Sequence, residues 1–222
     1  MSPLSELPRG SVFKLGGSLL DLPDWPNRVG ALLATTSQPV LFAGGGAAAD
    51  VVRSWDECFH LGAAAAHQLA MQSLSLTAAL VQRLVPNSRL CATVSDVTRA
   101  WDDRSLPVIE PHLWFAAPCE WFRGTDPRLP ETWDVTSDSL AAAVAIDLRG
   151  AELVLLKSID WPAGCSLPSA PERDLVDAWL PRLATQLHCV RWVNLRAKAD
   201  RGDVLWSRSP IPAGRQPIPV GP

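Results

Sequence analysis

The residues best suited to chemistry fall in three short segments far apart in the chain. Lys14-Leu15-Gly16-Gly17-Ser18 follows the apolar pair Val12-Phe13, so a lysine closes a strand and two glycines and a serine open what comes next. Glycines let a backbone approach phosphate oxygens without a Cβ in the way, and amides at a helix start favour anions. Lys14 adds a full positive charge where a transferring group would need stabilising. The spacing is neither G-x-x-x-x-G-K-[ST] nor G-x-G-x-x-G, which excludes a P-loop and a dinucleotide fingerprint. On its own the segment is equally a glycine turn with a purely steric purpose.

The second segment is Gly44-Gly45-Gly46, directly after the apolar run Val40-Leu41-Phe42-Ala43 and before an alanine-rich helix. Two glycine-rich strand ends in one parallel sheet would face the same edge, where open α/β sheets bind ligands. The third is Trp133-Asp134-Val135-Thr136-Ser137-Asp138-Ser139-Leu140, running into Ala141 to Ile146. Thr136, Ser137 and Asp138 suit a helix start, and plain capping explains one such residue. The clustered polar side chains leave a carboxylate over, and it could hold a lysine in place beside phosphate.

These segments need elements to position them. Apolar patterning predicts strands at 11–15, 39–43, 89–94, 107–109, 113–117, 152–157 and 189–194. It predicts helices at 25–36, 46–60, 63–84, 95–103, 137–149 and 172–187. In the second of these helices Val51, Val52, Trp55, Cys58 and Phe59 form an apolar stripe. Strands alternating with helices imply an α/β fold with a mostly parallel sheet covered on both faces. Residues 1–208 read as a single domain, and 209–222 as a Pro-rich tail, extended or mobile. Trp55, Trp101, Trp179 and Trp192 are expected in the core, whereas Trp133 adjoins the Thr-Ser-Asp segment and could pack on a flat acceptor.

Composition narrows the classes. The 222 residues are 47% hydrophobic and 19% charged, enough to bury a substantial core. A net charge of −3 without a basic stripe argues against nucleic-acid binding. No apolar run is long enough to span a bilayer, and the N-terminus lacks a signal-peptide pattern. The five cysteines are widely spaced with no Cys-x-x-Cys pair, which argues for reduced thiols and a cytoplasmic protein. His60, His112 and His188 have no partners at metal-ligand spacing, so no metal site is expected.

The three segments, together with the strand Leu153 to Leu156 ending at Lys157-Ser158-Ile159-Asp160, resemble the amino acid kinase superfamily over residues 10 to 160. That group includes acetylglutamate, uridylate and isopentenyl phosphate kinases. Within it, Gly44 through Arg53, Ala66-His67-Gln68-Leu69-Ala70-Met71 and Trp133 through Leu140 are most similar to the kinases acting on [5-(aminomethyl)furan-3-yl]methyl phosphate in methanofuran biosynthesis. The resemblance implies a three-layer αβα sandwich of the carbamate kinase-like kind, a phosphotransferase activity with ATP and Mg²⁺, a small-molecule acceptor and a possible homo-oligomer.

It also implies roles. Lys14 would stabilise the γ-phosphoryl group in flight, and Asp138 would orient Lys14. Gly16, Gly17 and Ser18 would serve the nucleotide phosphates, with Lys157 and Asp160 on the nucleotide side. Gly44, Gly45, Gly46, Arg53, Trp133 and Thr136 would face the acceptor. His67 is a helix histidine that could touch an anionic acceptor or be satisfied by a neighbour. The last third departs from the family: the Gly-Gly-Met segment that carries a second lysine in many relatives is missing. Lys157 could supply that charge, although an ordinary strand-end lysine is the plainer reading, and Lys198 is a weaker substitute. The alternatives are a kinase for another acceptor (a carboxylate, a carbamate, a nucleoside monophosphate or isopentenyl phosphate) and a nucleotide- or metabolite-binding protein that kept the fold and lost catalysis.

Overall fold

The computed structural model describes residues 10–116, 129–149, 152–197 and 202–207. Strand β1 (Ser11–Leu15) lies at the centre of a sheet with β2 (Pro39–Ala43) on one side and β5 (Leu153–Lys157) on the other. Its neighbours are β4 (Leu106–Ile109) and β3 (Ser88–Cys91) beyond β2, and β6 (Cys189–Asn194) and β7 (Gly202–Ser207) beyond β5. Among the described residues the sheet therefore runs β3-β4-β2-β1-β5-β6-β7, all parallel except β7, which is antiparallel to β6. Parallel strands covered on both faces read as near-continuous apolar runs, which is why Val40-Leu41-Phe42-Ala43 and Leu153-Val154-Leu155-Leu156 are all buried.

Alternation along the strands divides the core in two. Val12, Phe42, Leu153, Leu155 and Trp192 face one layer, and Phe13, Leu15, Leu41, Val154 and Leu156 face the other. The first layer holds α4 (Val94–Asp102), α6 (Ser137–Asp147) and α7 (Leu180–Ala184); the second is built on α1 (Trp25–Ala34). Helix α3 (Ala63–Leu84) gives Met71 and Leu74 to one core and Ala78 and Val81 to the other. It packs along α2 (Gly46–Phe59). From Asp138 to Ile146 every residue of α6 is buried. Its alanines let sheet and α7 close in on it, as expected of a helix apolar on all sides.

Several expectations need correcting. Of the expected strand 113–117, residues 113–116 are instead part of α5 (Pro111–Ala116), and residue 117 lies outside the described residues. Pro111 suits a first helical position and the Glu110 carboxylate accepts the Leu113 amide, two start signals that override the β-propensity of Trp114 and Phe115. The 172–187 segment is a 3₁₀ turn (Pro171–Arg173), an irregular stretch and only the short α7. Asp174 there takes a left-handed φ of 54°, which interrupts the helix. Strand β7 was not expected, because its residues are half polar and sit on the sheet edge.

Trp55 is 47% exposed rather than core, and Val51 and Phe59 are exposed with it; of the α2 stripe only Val52 is buried. The other three expected core tryptophans do pack on the core, Trp192 within it and Trp101 and Trp179 against it. Cys58, Cys91, Cys165 and Cys189 form no disulfide among the described residues, while Cys119 lies outside them, as do Lys198 and the 209–222 tail. No helix among the described residues is long and apolar enough to cross a membrane.

Candidate active site

The strand period determines which lysines can meet. Lys14 stands two residues after Val12 on β1, and Lys157 two after Leu155 on β5, so both point to the α6 layer. Helix α6 brings Asp138 in its first turn over the ends of these two strands. The result is a three-membered cluster. Lys14 Nζ lies 2.8 Å from Asp138 Oδ1 and Lys157 Nζ lies 2.7 Å from Oδ2. Lys157 also donates to the Leu175 carbonyl at 2.8 Å and sits 5.1 Å from the centre of the Trp192 ring.

Electrostatics keep Asp138 ionised. Burial alone would push its carboxyl up, but the ammoniums of Lys14 and Lys157 outweigh burial and hold it down at about 2. Burial shifts Lys157 downward, and Asp138 works against that shift. Asp138 is 4% exposed and Lys14 likewise 4%. Two lysines thus share one carboxylate in a nearly dry setting.

Above the cluster the two glycine turns lie against each other. The amide of Gly16 continues the sheet by donating to Leu156 O at 2.8 Å, and that of Gly44 donates to Leu15 O at 2.8 Å. A Cβ on Gly17 would come within 2.3 Å of Gly46 N and 2.6 Å of Gly46 Cα. Gly46 itself has a φ of +52°, which favours glycine. Both turns thus need glycine for the contact they make with one another. Ser18 Oγ donates to Ser158 Oγ at 3.1 Å, tying the ends of β1 and β5.

A cavity of about 250 Å³ opens beside the turns, between α2, α3 and the start of α6. Gly17, Ser18, Gly45 and Gly46 form one end, and Arg53, His67, Trp133 and Thr136 line it further along. Trp133 is fixed by its indole N–H, which donates to Asp56 Oδ2 at 2.8 Å, and by Arg53, whose guanidinium lies 5.0 Å from the ring centre. Arg53 also pairs with Asp50 at 2.9 Å. Burial lowers the pKa of His67, with Glu131 opposing it.

Of the expected site residues, Gly17, Ser18, Gly45, Gly46, Arg53, Trp133 and Thr136 line this cavity, while Lys14, Asp138 and Lys157 form the cluster and Gly16 links the ends of β1 and β5. Gly44 is packed under Gly17 and Ser137 rather than lining the cavity. Asp160 accepts from Asn194 Nδ2 at 2.9 Å, a link between the ends of β5 and β6. Lys157, at its strand end, is paired with Asp138. Sequence reasoning passed over Asp56, which could have been found as a carboxylate one turn beyond Arg53, and Asp177, whose stretch reads as an ordinary amphipathic helix.

The sequence profile of the amino acid kinase family matches residues 11–160, which contain Lys14, both glycine turns, Asp138 and Lys157. The chain belongs to the amino acid kinase family. No curated protein matches it by sequence. Among solved structures, this amino acid kinase family member is similar to UMP kinase from Ureaplasma parvum, at 13% identity over 85% of this chain and 91% of that one, with a TM-score of 0.61. It is similar also to carbamate kinase from Giardia lamblia bound to AMP-PNP, at 11% identity over 85% of this chain and 93% of that one, TM-score 0.54. At such identities the likeness is one of fold. The family points to a small-molecule kinase, a phosphotransferase.

Proposed function

We propose that this family member transfers the γ-phosphoryl group of ATP to a small phosphate-bearing acceptor, most specifically [5-(aminomethyl)furan-3-yl]methyl phosphate, giving its diphosphate. The observation that carries the reading is the Lys14–Asp138–Lys157 cluster beneath the paired glycine turns. Phosphoryl transfer needs charge neutralisation and alignment more than a base. An acceptor phosphate oxygen is already anionic: it bonds to the γ-phosphorus as the bridging P–O bond to ADP breaks. Asp138, ionised and engaged by two ammoniums, is a poor proton acceptor and a good holder of cations.

The residues fit polyphosphate: glycine backbones with no Cβ to spare, and two lysines on one carboxylate. Gly16, Gly17, Ser18 and Lys157 would hold the nucleotide end. Among the described residues no cluster of three metal-ligating side chains exists, so Mg²⁺ would arrive on the nucleotide and add charge neutralisation there. On the acceptor side, Arg53 suits an anion and the Trp133 ring suits a flat heteroaromatic in a cavity of modest volume. The fold likeness to UMP kinase supports a second reading, in which the acceptor is a nucleoside monophosphate.

The test is transfer of labelled γ-phosphate from Mg-ATP to the furan phosphate and to a nucleoside monophosphate, with Lys14→Ala beside the native protein. Transfer to the first that vanishes in the variant is expected. Transfer only to the second would move the acceptor, and undiminished turnover by Lys14→Ala would overturn the role of the cluster.

A further inference from the structure

The sequence beyond residue 160 lies outside the family match, yet one of its carboxylates holds the helix that carries Asp138. Asp177 Oδ2 accepts the Thr136 amide, the Thr136 hydroxyl and the Ser139 amide, each at 2.9 Å. Its Oδ1 accepts the Ser139 hydroxyl in a very short contact, together with the Trp179 amide at 3.2 Å and the Leu180 amide at 3.0 Å. Six donors on two oxygens saturate a carboxylate. Four of them belong to Thr136 and Ser139, which flank Ser137 and Asp138. Thr136 Oγ1 does not cap its own helix, so the orphan amide of Ser139 in the first turn of α6 depends on a side chain from elsewhere in the chain.

The same stretch touches the cluster from the other side. Leu175, two residues earlier, accepts from Lys157 Nζ. The 175–177 segment thus grips both partners of the Lys157–Asp138 ion pair: the lysine directly, the aspartate through its helix. Plain structural capping would need one or two bonds. A clamp on both sides of one ion pair is a different arrangement.

We infer that Asp177 is a positioning residue for phosphoryl transfer, which sets the height and direction of Asp138 and through it the spacing of Lys14 and Lys157. The inference rests on the kinase reading only for its kinetic arm. Displacing catalytic groups by about 1 Å costs on the order of a hundredfold in rate. Asn in place of Asp177 keeps the volume but turns an NH₂ group toward amide or hydroxyl donors, whichever way it is flipped.

The test compares Asp177→Asn, Asp138→Asn and the double variant, with Ser139→Ala as a milder change should Asp177→Asn fold poorly. For folded Asp177→Asn, kcat is expected to fall tenfold or more while KM for ATP stays within threefold, and Ser139→Ala falls severalfold. The double variant should be no slower than Asp138→Asn alone. A variant that merely lowers thermal stability, with native kcat in its folded fraction, would overturn the inference, as would losses that multiply in the double variant. The arm independent of activity is a crystal structure of Asp177→Asn, or of Ser139→Ala in its place. At least one of the two ion pairs to Asp138 is expected to open, and both holding their native distances overturns the inference. An inactive native protein would sink the kinase reading, and the crystallographic arm would still decide the role of Asp177.

Discussion

Replacing Asp138 by Asn should reveal how much of the fold rests on one shared carboxylate. The substitution preserves shape and removes the charge that two buried ammoniums share. The Asp138 carboxyl is held at about 2 against an ordinary 3.8. At about 1.4 kcal/mol per tenfold, that gap contributes about 2 kcal/mol of stability. Because Asn resembles the protonated acid, the substitution is expected to cost about that much. Removing one partner of a buried pair typically costs about 3–5 kcal/mol, which bounds it above. The pH dependence carries its own signature. The native advantage is fully present above the unfolded carboxyl value and is lost as pH falls through about 2. On the alkaline side Lys157, whose pKa burial lowers and Asp138 props up, loses that opposing partner in the variant, so the folded variant holds this proton less well than the unfolded chain and its deficit shrinks as pH rises toward about 10. Guanidinium denaturation of both proteins at about pH 3, 6 and 9.5 should give a stability difference largest at the middle value. A difference below about 0.5 kcal/mol at pH 6, or one that does not change with pH, would refute the argument.

Three other predictions probe the surroundings. Lys157→Met keeps the buried stem and loses the ammonium; kcat in the labelled-phosphate assay should drop at least tenfold, and native kcat would return Lys157 to a structural role. Gly17→Ala puts a Cβ 2.3 Å from Gly46 N, and backbone-on-backbone overpacking of this kind costs about 1–3 kcal/mol; a melting temperature equal to native would show that the turns can part freely. Trp133→Ala should raise KM for the acceptor about tenfold with KM for ATP little altered, read by steady-state kinetics; an unchanged acceptor KM would take the ring out of the acceptor site.

Much of the framework is legible because its signals are local. Helix α3 runs from Ala63 to Leu84 as its apolar spacing implies, β1 and β2 end where glycines follow, and α6 begins at Ser137 after a polar cluster. What escapes local reading depends on register or on partners distant in sequence. Lys157 meets Asp138 because β5 lies beside β1 with Leu155 opposite Lys14, which the residues around it do not encode. Asp177 is invisible for a similar reason: four of its six donors come from Thr136 and Ser139 at the start of α6, and its own flank reads as a helix. The exposed stripe of Val51, Trp55 and Phe59 shows the limit of periodicity, which reports that a helix has an apolar side and not that a core covers it.

The position of β1 bears on how the chain is made. During synthesis β1 emerges well before its partner β5, with Val12 eventually opposite Leu153. Closing so long a loop is slow, and an unpaired apolar strand is a hazard for as long as it waits. A charge set within an apolar strand is the usual safeguard against self-association. Lys14 interrupts Val12-Phe13 and Leu15 in this way, and Lys157 ends the Leu153–Leu156 run likewise. The charges gathered around Asp138 in the finished protein can thus guard the two central strands of the nascent chain before they meet.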